Sequence, residues 1–165
     1  RICLVGSEMC IRDRFSGLGP PYWNSEARAA FFGISASTNT NHLIRAGLES
    51  VAYQMVVYLE FMKKTQNMEL NNLSIDGGMV KNKFFLQIIS DLLEIDLSIP
   101  ELEEMSSYGA LLFGIQHFHN IKNLEDLRDF KVKKAVIKPN TNNVIKQSYA
   151  NWKEIVDKHF VKNQE

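Results

Sequence analysis

The sequence predicts an α/β domain in which parallel strands are joined by crossover helices. Short apolar runs ending in turn residues alternate with helical stretches of about a dozen residues or more, and the clearest strand hands over to a helix through Asp76, Gly77 and Gly78. Composition agrees: the 165 residues are 45% hydrophobic, enough for one core, and neither a repeat nor a low-complexity linker divides them.

Gly17, Gly19, Pro20 and Pro21 forbid a regular helix and predict a rigid turn. The Gly-Leu-Gly there is no dinucleotide fingerprint, because two prolines follow where that motif needs a helix to start. Residues 29–35, AAFFGIS, suit a short strand. Asn39 or Thr40 can cap a long helix running to about Lys64. Ile44, Leu48, Val51, Met55, Leu59 and Met62 recur along it at steps of three and four and are expected to face the core. Arg45 and Glu49, four apart, should pair.

NLSID, residues 72–76, reads as a strand with Leu73 and Ile75 on one face. Phe85, Ile88, Ile89, Leu92 and Leu93 then give a second amphipathic helix. Ile95, Leu97 and Ile99 alternate in another strand that Pro100 stops. Ser106 is a good cap for a third helix. Gly109 and Gly114 within it each cost about 1 kcal/mol relative to alanine, so they are expected to allow close approach to a sheet or ligand. A brief helical turn over 123–130, an extended stretch over 131–139 and a last helix from Asn140 to Phe160 complete the chain. In that helix Ile145, Tyr149, Trp152, Val156 and Phe160 should point inward.

Several function classes drop out. Lys+Arg and Asp+Glu both number 19, so no strongly basic face advertises nucleic acid or anionic lipid. No apolar stretch approaches the roughly 20 residues of a membrane helix, and the start does not read as a signal peptide. The expectation is a cytoplasmic protein without membrane or nucleic-acid partners. Cys3 and Cys10 fall in the first ten residues, leaving the remainder without a thiol for a disulfide, metal or nucleophile. His117 and His119, two apart, point to different sides of a helix and should be surface residues rather than metal ligands. Trp23 and Trp152 are expected to pack, and Glu101, Glu103 and Glu104 to form a solvated acidic patch.

In parallel sheets ligands collect at the carboxyl ends of the strands, where Asp-Gly-Gly sits. Amides exposed at a strand-to-helix turn, backed by the following helix dipole, suit a phosphate, and a Cβ there would hold the ligand off. Asn82, one turn on, can offer its amide to a ribose or a base edge. Asp76 suits either a metal-bound water or, as the commoner role, a cap on its own turn. Taken alone, a turn diglycine followed by an asparagine is better explained by the turn itself.

The blocks FSGLGPPYWNSEARAAFFGIS, NHLIRAGLESVAYQ, IDGGMVKNKFFLQIISDLL, SIPELEEMSSYGALLFG and SYANWKEIVDKHF span nearly everything from Phe15 to Phe160. In order and spacing they resemble the carboxyl-terminal domain of the FGGY carbohydrate kinases, nearest to the members that phosphorylate glycerol. The resemblance implies part of an actin-like, ribonuclease-H-like ATPase fold. Two such domains close on ATP, Mg²⁺ and a polyol, and the nucleotide-binding positions carried over are Gly77, Gly78 and Asn82. It leaves a homo-oligomer open for the intact enzyme. The chain departs from the family at Met105 to Gly109, where a Thr-Ala-Leu-Gly run is usual. Ser107 keeps a hydroxyl, but Tyr108 is bulky, which bears on packing near Gly109 and on the choice of polyol.

The resemblance also implies what is missing. The family's general base, an aspartate in a Gly-Asp-Gln motif, its polyol-binding residues and its phosphate loops lie upstream of the matched region. No catalytic residue is therefore assigned, and the chain by itself is expected to be inactive. Residues 4–14, LVGSEMCIRDR, match the in-frame translation of a transposon-based sequencing adaptor. Residues 1–14 are accordingly expected to be non-native, and 15–165 to be the nucleotide-binding domain, truncated at its start. The alternatives are another FGGY sugar kinase or a non-catalytic actin-like nucleotide-binding module.

Overall fold

Helix α1, Thr40–Gln66, organises the molecule. Asn39 caps it: its side chain accepts from the His42 amide while the His42 ring accepts from the Asn39 N–H, closing a capping box. Asn67, in left-handed conformation, ends it. The computed structural model describes residues 3–5, 17–67, 69–102, 105–119, 121 and 132–161. The expected turn at 123–130, the cap by the Ser106 side chain, Cys10, Glu103 and Glu104, and all of residues 1–14 except 3–5 lie outside the described residues.

Before α1, β1 (Cys3–Val5) pairs antiparallel with β2 (Ala30–Phe32). After it come β3 (Asn72–Ser74), α2 (Lys83–Leu93), β4 (Asp96–Pro100), α3 (Met105–Phe118), β5 (Lys134–Ile137) and α4 (Asn143–Val156). A second sheet has the order β3-β4-β5. β3 and β4 are parallel in register Leu73 to Leu97, with α2 as the crossover, while β5 runs antiparallel to β4. The layer is thus α/β as expected, with a mixed sheet. The expected final helix is α4 continued by a π-helical turn, Asp157–Val161.

The core lies between α1, α2, α4 and β4. Phe85, Leu86, Ile88 and Ile89 of α2 interlock with Tyr53, Val56 and Val57 of α1, Leu97 of β4, and Ile145, Trp152 and Val156 of α4. Trp152 is fully buried and sits 5.7 Å from the Tyr53 ring and 6.3 Å from Tyr149. Asp91, buried on α2, accepts from the Asn140 amide at 2.7 Å and from Gln87, tying α2 to the segment that precedes α4.

The face of α1 that points inward matches the expected one only in part: Val51 and Met55 pack against the core, but the fully buried residues are others. Ala46, Glu49, Ser50, Ala52, Tyr53, Gln54, Val56 and Val57 are buried, whereas Ile44 is 59% exposed and Leu48, Val51, Met55, Leu59 and Met62 are half-buried. Small residues let the helix axis approach its neighbours closely, so the inward face is chosen by fit rather than by the largest apolar stripe. Trp23 is also not a packing residue, being 72% exposed. It closes a tight turn in left-handed conformation (φ 47°), its amide donating to the Gly19 carbonyl, and that geometry throws the indole outward. Among the described residues Gly109 and Gly114 approach nothing, since a Cβ at either would meet no described atom within 4 Å. Helix α3 instead leaves Leu111, Phe113 and Phe118 open to solvent.

Candidate functional site

The turn between β3 and α2 is built by three local rules. The Ile75 amide donates to the Ser98 carbonyl at 3.0 Å, so the ladder with β4 runs up to Asp76. Gly77 then adopts φ 99° and ψ 179°, a region that residues with a Cβ rarely occupy. Gly78 to Lys81 form a single 3-10 turn, and Asn82 begins α2. The helix thus starts four residues later than a direct reading of the sequence places it. Asn82 stands at its cap rather than one turn in.

The two glycines have different reasons for being glycine. Gly77 is required by its backbone. Gly78 does not have positive φ, and a Cβ at either position would meet no atom of the described residues within 4 Å. Nothing within the described chain therefore demands Gly78, whereas a ligand lying on the turn would.

Asn82 has two duties open to it. Its Oδ1 accepts from the Phe85 amide at 3.1 Å, satisfying one of the free donors of the α2 first turn. Its side-chain amide has no hydrogen-bond partner among the described residues and can donate outward. Asp76 does not cap the turn, as its carboxylate is exposed and makes no hydrogen bond among the described residues. Gly77, Gly78 and Asn82 are contiguous on an open surface at the carboxyl end of β3. Ser107 is exposed and Tyr108 half-buried on α3.

Close by stands a feature that spacing alone does not reveal. Arg45 and Glu49 do pair, at 2.8 Å, but Glu49 is 5% exposed and lines a cavity beside the first turns of α1. A carboxylate on the same helical face as Ala46, Ser50 and Tyr53 is the signal that could have found it. The Arg45 guanidinium lies 5.2 Å over the ring of Phe84, two residues beyond Asn82. The amino ends of α1 and α2 are therefore side by side. His117 and His119 are exposed, and no group of three His, Cys, Asp or Glu converges among the described residues. No helix among the described residues is long and apolar enough to cross a membrane.

The architecture is that of the actin-like ATPases, present in part. A crystal structure of Plasmodium falciparum glycerol kinase with ADP superposes with a TM-score of 0.78 at 27% identity, covering 95% of this chain and 30% of that one. A ligand-bound xylulose kinase from Lactobacillus acidophilus shares the fold at a TM-score of 0.75 and 16% identity, over 98% of this chain and 32% of that one.

The carboxyl-terminal domain model of the FGGY family of carbohydrate kinases matches residues 6–116, and the chain belongs to that family. Among curated proteins it is 38% identical to glycerol kinase of Brevibacillus brevis over 143 residues, 86% of this chain and 29% of that protein. It is 36% identical to that of Haemophilus influenzae, over 86% of this chain and 28% of that protein. The chain thus spans less than a third of the length of the relatives it matches.

Proposed function

We propose that this chain forms the nucleotide-holding part of an ATP-dependent polyol kinase that converts glycerol and ATP to glycerol 3-phosphate and ADP. The observation that carries the reading is the bare Gly77–Gly78 turn at the carboxyl end of β3, with Asn82 offering a free amide beside it. The 35–38% identity to glycerol kinases supports the choice of glycerol over a sugar.

Gly78 lets the nucleotide come against the main chain, and Asn82 donates to it from the cap of α2. The residues fit such a group, because the turn carries backbone donors and open space rather than side chains. ATP brings Mg²⁺ on its phosphates, and Asp76 is the carboxylate at the turn available to a metal-bound water. Phosphoryl transfer then depends on positioning and charge stabilisation. The base that takes the hydroxyl proton is assigned to no residue of this chain. The polyol and the base belong to the rest of the kinase, and the chain by itself does not turn over.

The test is titration of the chain with ADP, followed by the backbone amide resonances. Gly77, Gly78 and Asn82 should shift with millimolar affinity, on the order of −4 kcal/mol. Gly78→Val should leave the fold unchanged, since a Cβ there meets no described atom within 4 Å, yet weaken ADP by about tenfold or more. Shifts confined to another surface, or equal ADP affinity in Gly78→Val, would remove the assignment. The longer polypeptide should phosphorylate glycerol in preference to xylulose or gluconate. A preference for one of those would make it a sugar kinase, and no turnover of any would make it a binding module.

A further inference from the structure

Between the segment that follows β2 and the first turns of α1 lies a cavity of about 340 Å³, lined by Ser35, Ser37, Thr38, His42, Arg45 and Glu49 among others. None of Gly77, Gly78 or Asn82 lines it. Its floor is a charged group: Glu49, 5% exposed, accepts from Arg45 Nε at 2.8 Å through Oε1 and from the Tyr53 hydroxyl at 3.3 Å through Oε2.

Arg45 spends only its Nε on that carboxylate. Held over the Phe84 ring, its two Nη groups have no hydrogen-bond partner among the described residues. His42 Nδ1 accepts from the Asn39 N–H, which assigns the ring proton to Nε2 and leaves a second donor. Thr38 Oγ1 accepts from the Ser35 amide, so its hydroxyl proton is free to be given elsewhere. The lining is donor-rich, and a planar guanidinium with both Nη groups open matches phosphate oxygens in a bidentate way.

We propose that this cavity is a second ligand site, taking a phosphate monoester or inorganic phosphate on the Arg45 fork with His42 and Thr38 as further donors. The inference does not rest on the nucleotide reading. The remaining lone pairs of Glu49 would accept hydroxyls, which favours the ester of a small polyol over the bare ion.

The experiment uses the whole chain, with amide resonances followed against inorganic phosphate, glycerol 3-phosphate and ADP in separate titrations. Phosphate and the ester should move Ser35, Ser37, Thr38 and His42 saturably, with dissociation constants in the millimolar range. Tighter binding of the ester identifies a polyol phosphate as the ligand, and equal binding identifies free phosphate. Arg45→Met should weaken both by about tenfold. His42→Glu is the variant that protects the fold, because glutamate at that position completes a capping box while its charge repels the anion. This variant should abolish the shifts.

Absence of saturable shifts overturns the proposal, as do unchanged affinities in both variants or phosphate shifts confined to Gly77, Gly78 and Asn82. If ADP leaves Gly77, Gly78 and Asn82 unmoved while phosphate moves the cavity, the nucleotide reading fails and this one stands.

Discussion

Helices α2 and α3 are both rich in large apolar residues, yet one is the centre of the core and the other lies largely in solvent. On α2, Phe85, Leu86, Ile88 and Ile89 are each at most 3% exposed. On α3, Leu111 is 56% exposed, Phe113 67% and Phe118 85%. The difference lies in connection and pattern. α2 leaves β3 through a tight turn and must return to β4 as a parallel neighbour, a crossover that lays its apolar stripe on the sheet. α3 joins two antiparallel strands, and its apolar residues form no clear stripe against Ser107, Gln116 and His117, so neither topology nor amphipathicity chooses a face. Apolar content drives burial only where the chain also supplies a partner.

That contrast can be broken experimentally. Phe85→Ala should cost about 3 to 5 kcal/mol, read as a lowered denaturation midpoint at unchanged slope, because it empties the middle of the α2 packing. A loss under about 1 kcal/mol would mean that α2 is not the centre of the core. Asn82→Ala removes the cap and the ligand donor together, so stability should fall by about 0.5 to 2 kcal/mol. ADP affinity should also fall, by a further 1 to 3 kcal/mol or about five- to 150-fold. Phe113→Ser on α3 should change stability by no more than about 0.5 kcal/mol while raising solubility. A cost comparable to Phe85→Ala would show that α3 is packed after all.

The smallest effect belongs to the far end of α2. Glu94, on the surface, is held below the usual carboxylate range first by its hydrogen bond from Lys146 of α4 and then by that residue's charge. A depressed folded pKa gives stability that is present above the ordinary value of 4.5 and lost as the pH falls through the lower folded value. Glu94→Gln should therefore slightly reduce the fall in Tm on going from neutral to acid pH. An unchanged acid limb would show that this exposed pair contributes nothing.

Much of the fold was legible because local rules and tertiary packing agreed. Asn39 at the cap of α1, the inward residues of α4 and the Phe85, Ile88, Ile89 stripe of α2 follow from capping and period alone. The site was legible in part. Asp-Gly-Gly at a strand end marked the place, and Arg45 and Glu49 were readable as a pair. That Glu49 is buried in a cavity was not, because burial depends on which side of α1 its neighbours occupy. The exposed Trp23 and the unapproached Gly109 and Gly114 failed for the same reason: composition records what a residue can do, not what stands opposite it.

By itself the sequence determined the order of the elements from β2 onward, though not the strand β1 before them, the crossover from β3 to β4 and the family to which the blocks belong. These depend on short-range periodicity and on glycine and asparagine at fixed offsets. Only the tertiary structure decided which face of α1 turns inward, that Gly77 is glycine for its backbone and Gly78 is not, and that α3 stays uncovered by the described chain. Those outcomes are set by contacts between residues far apart in sequence, whose partners no local pattern names.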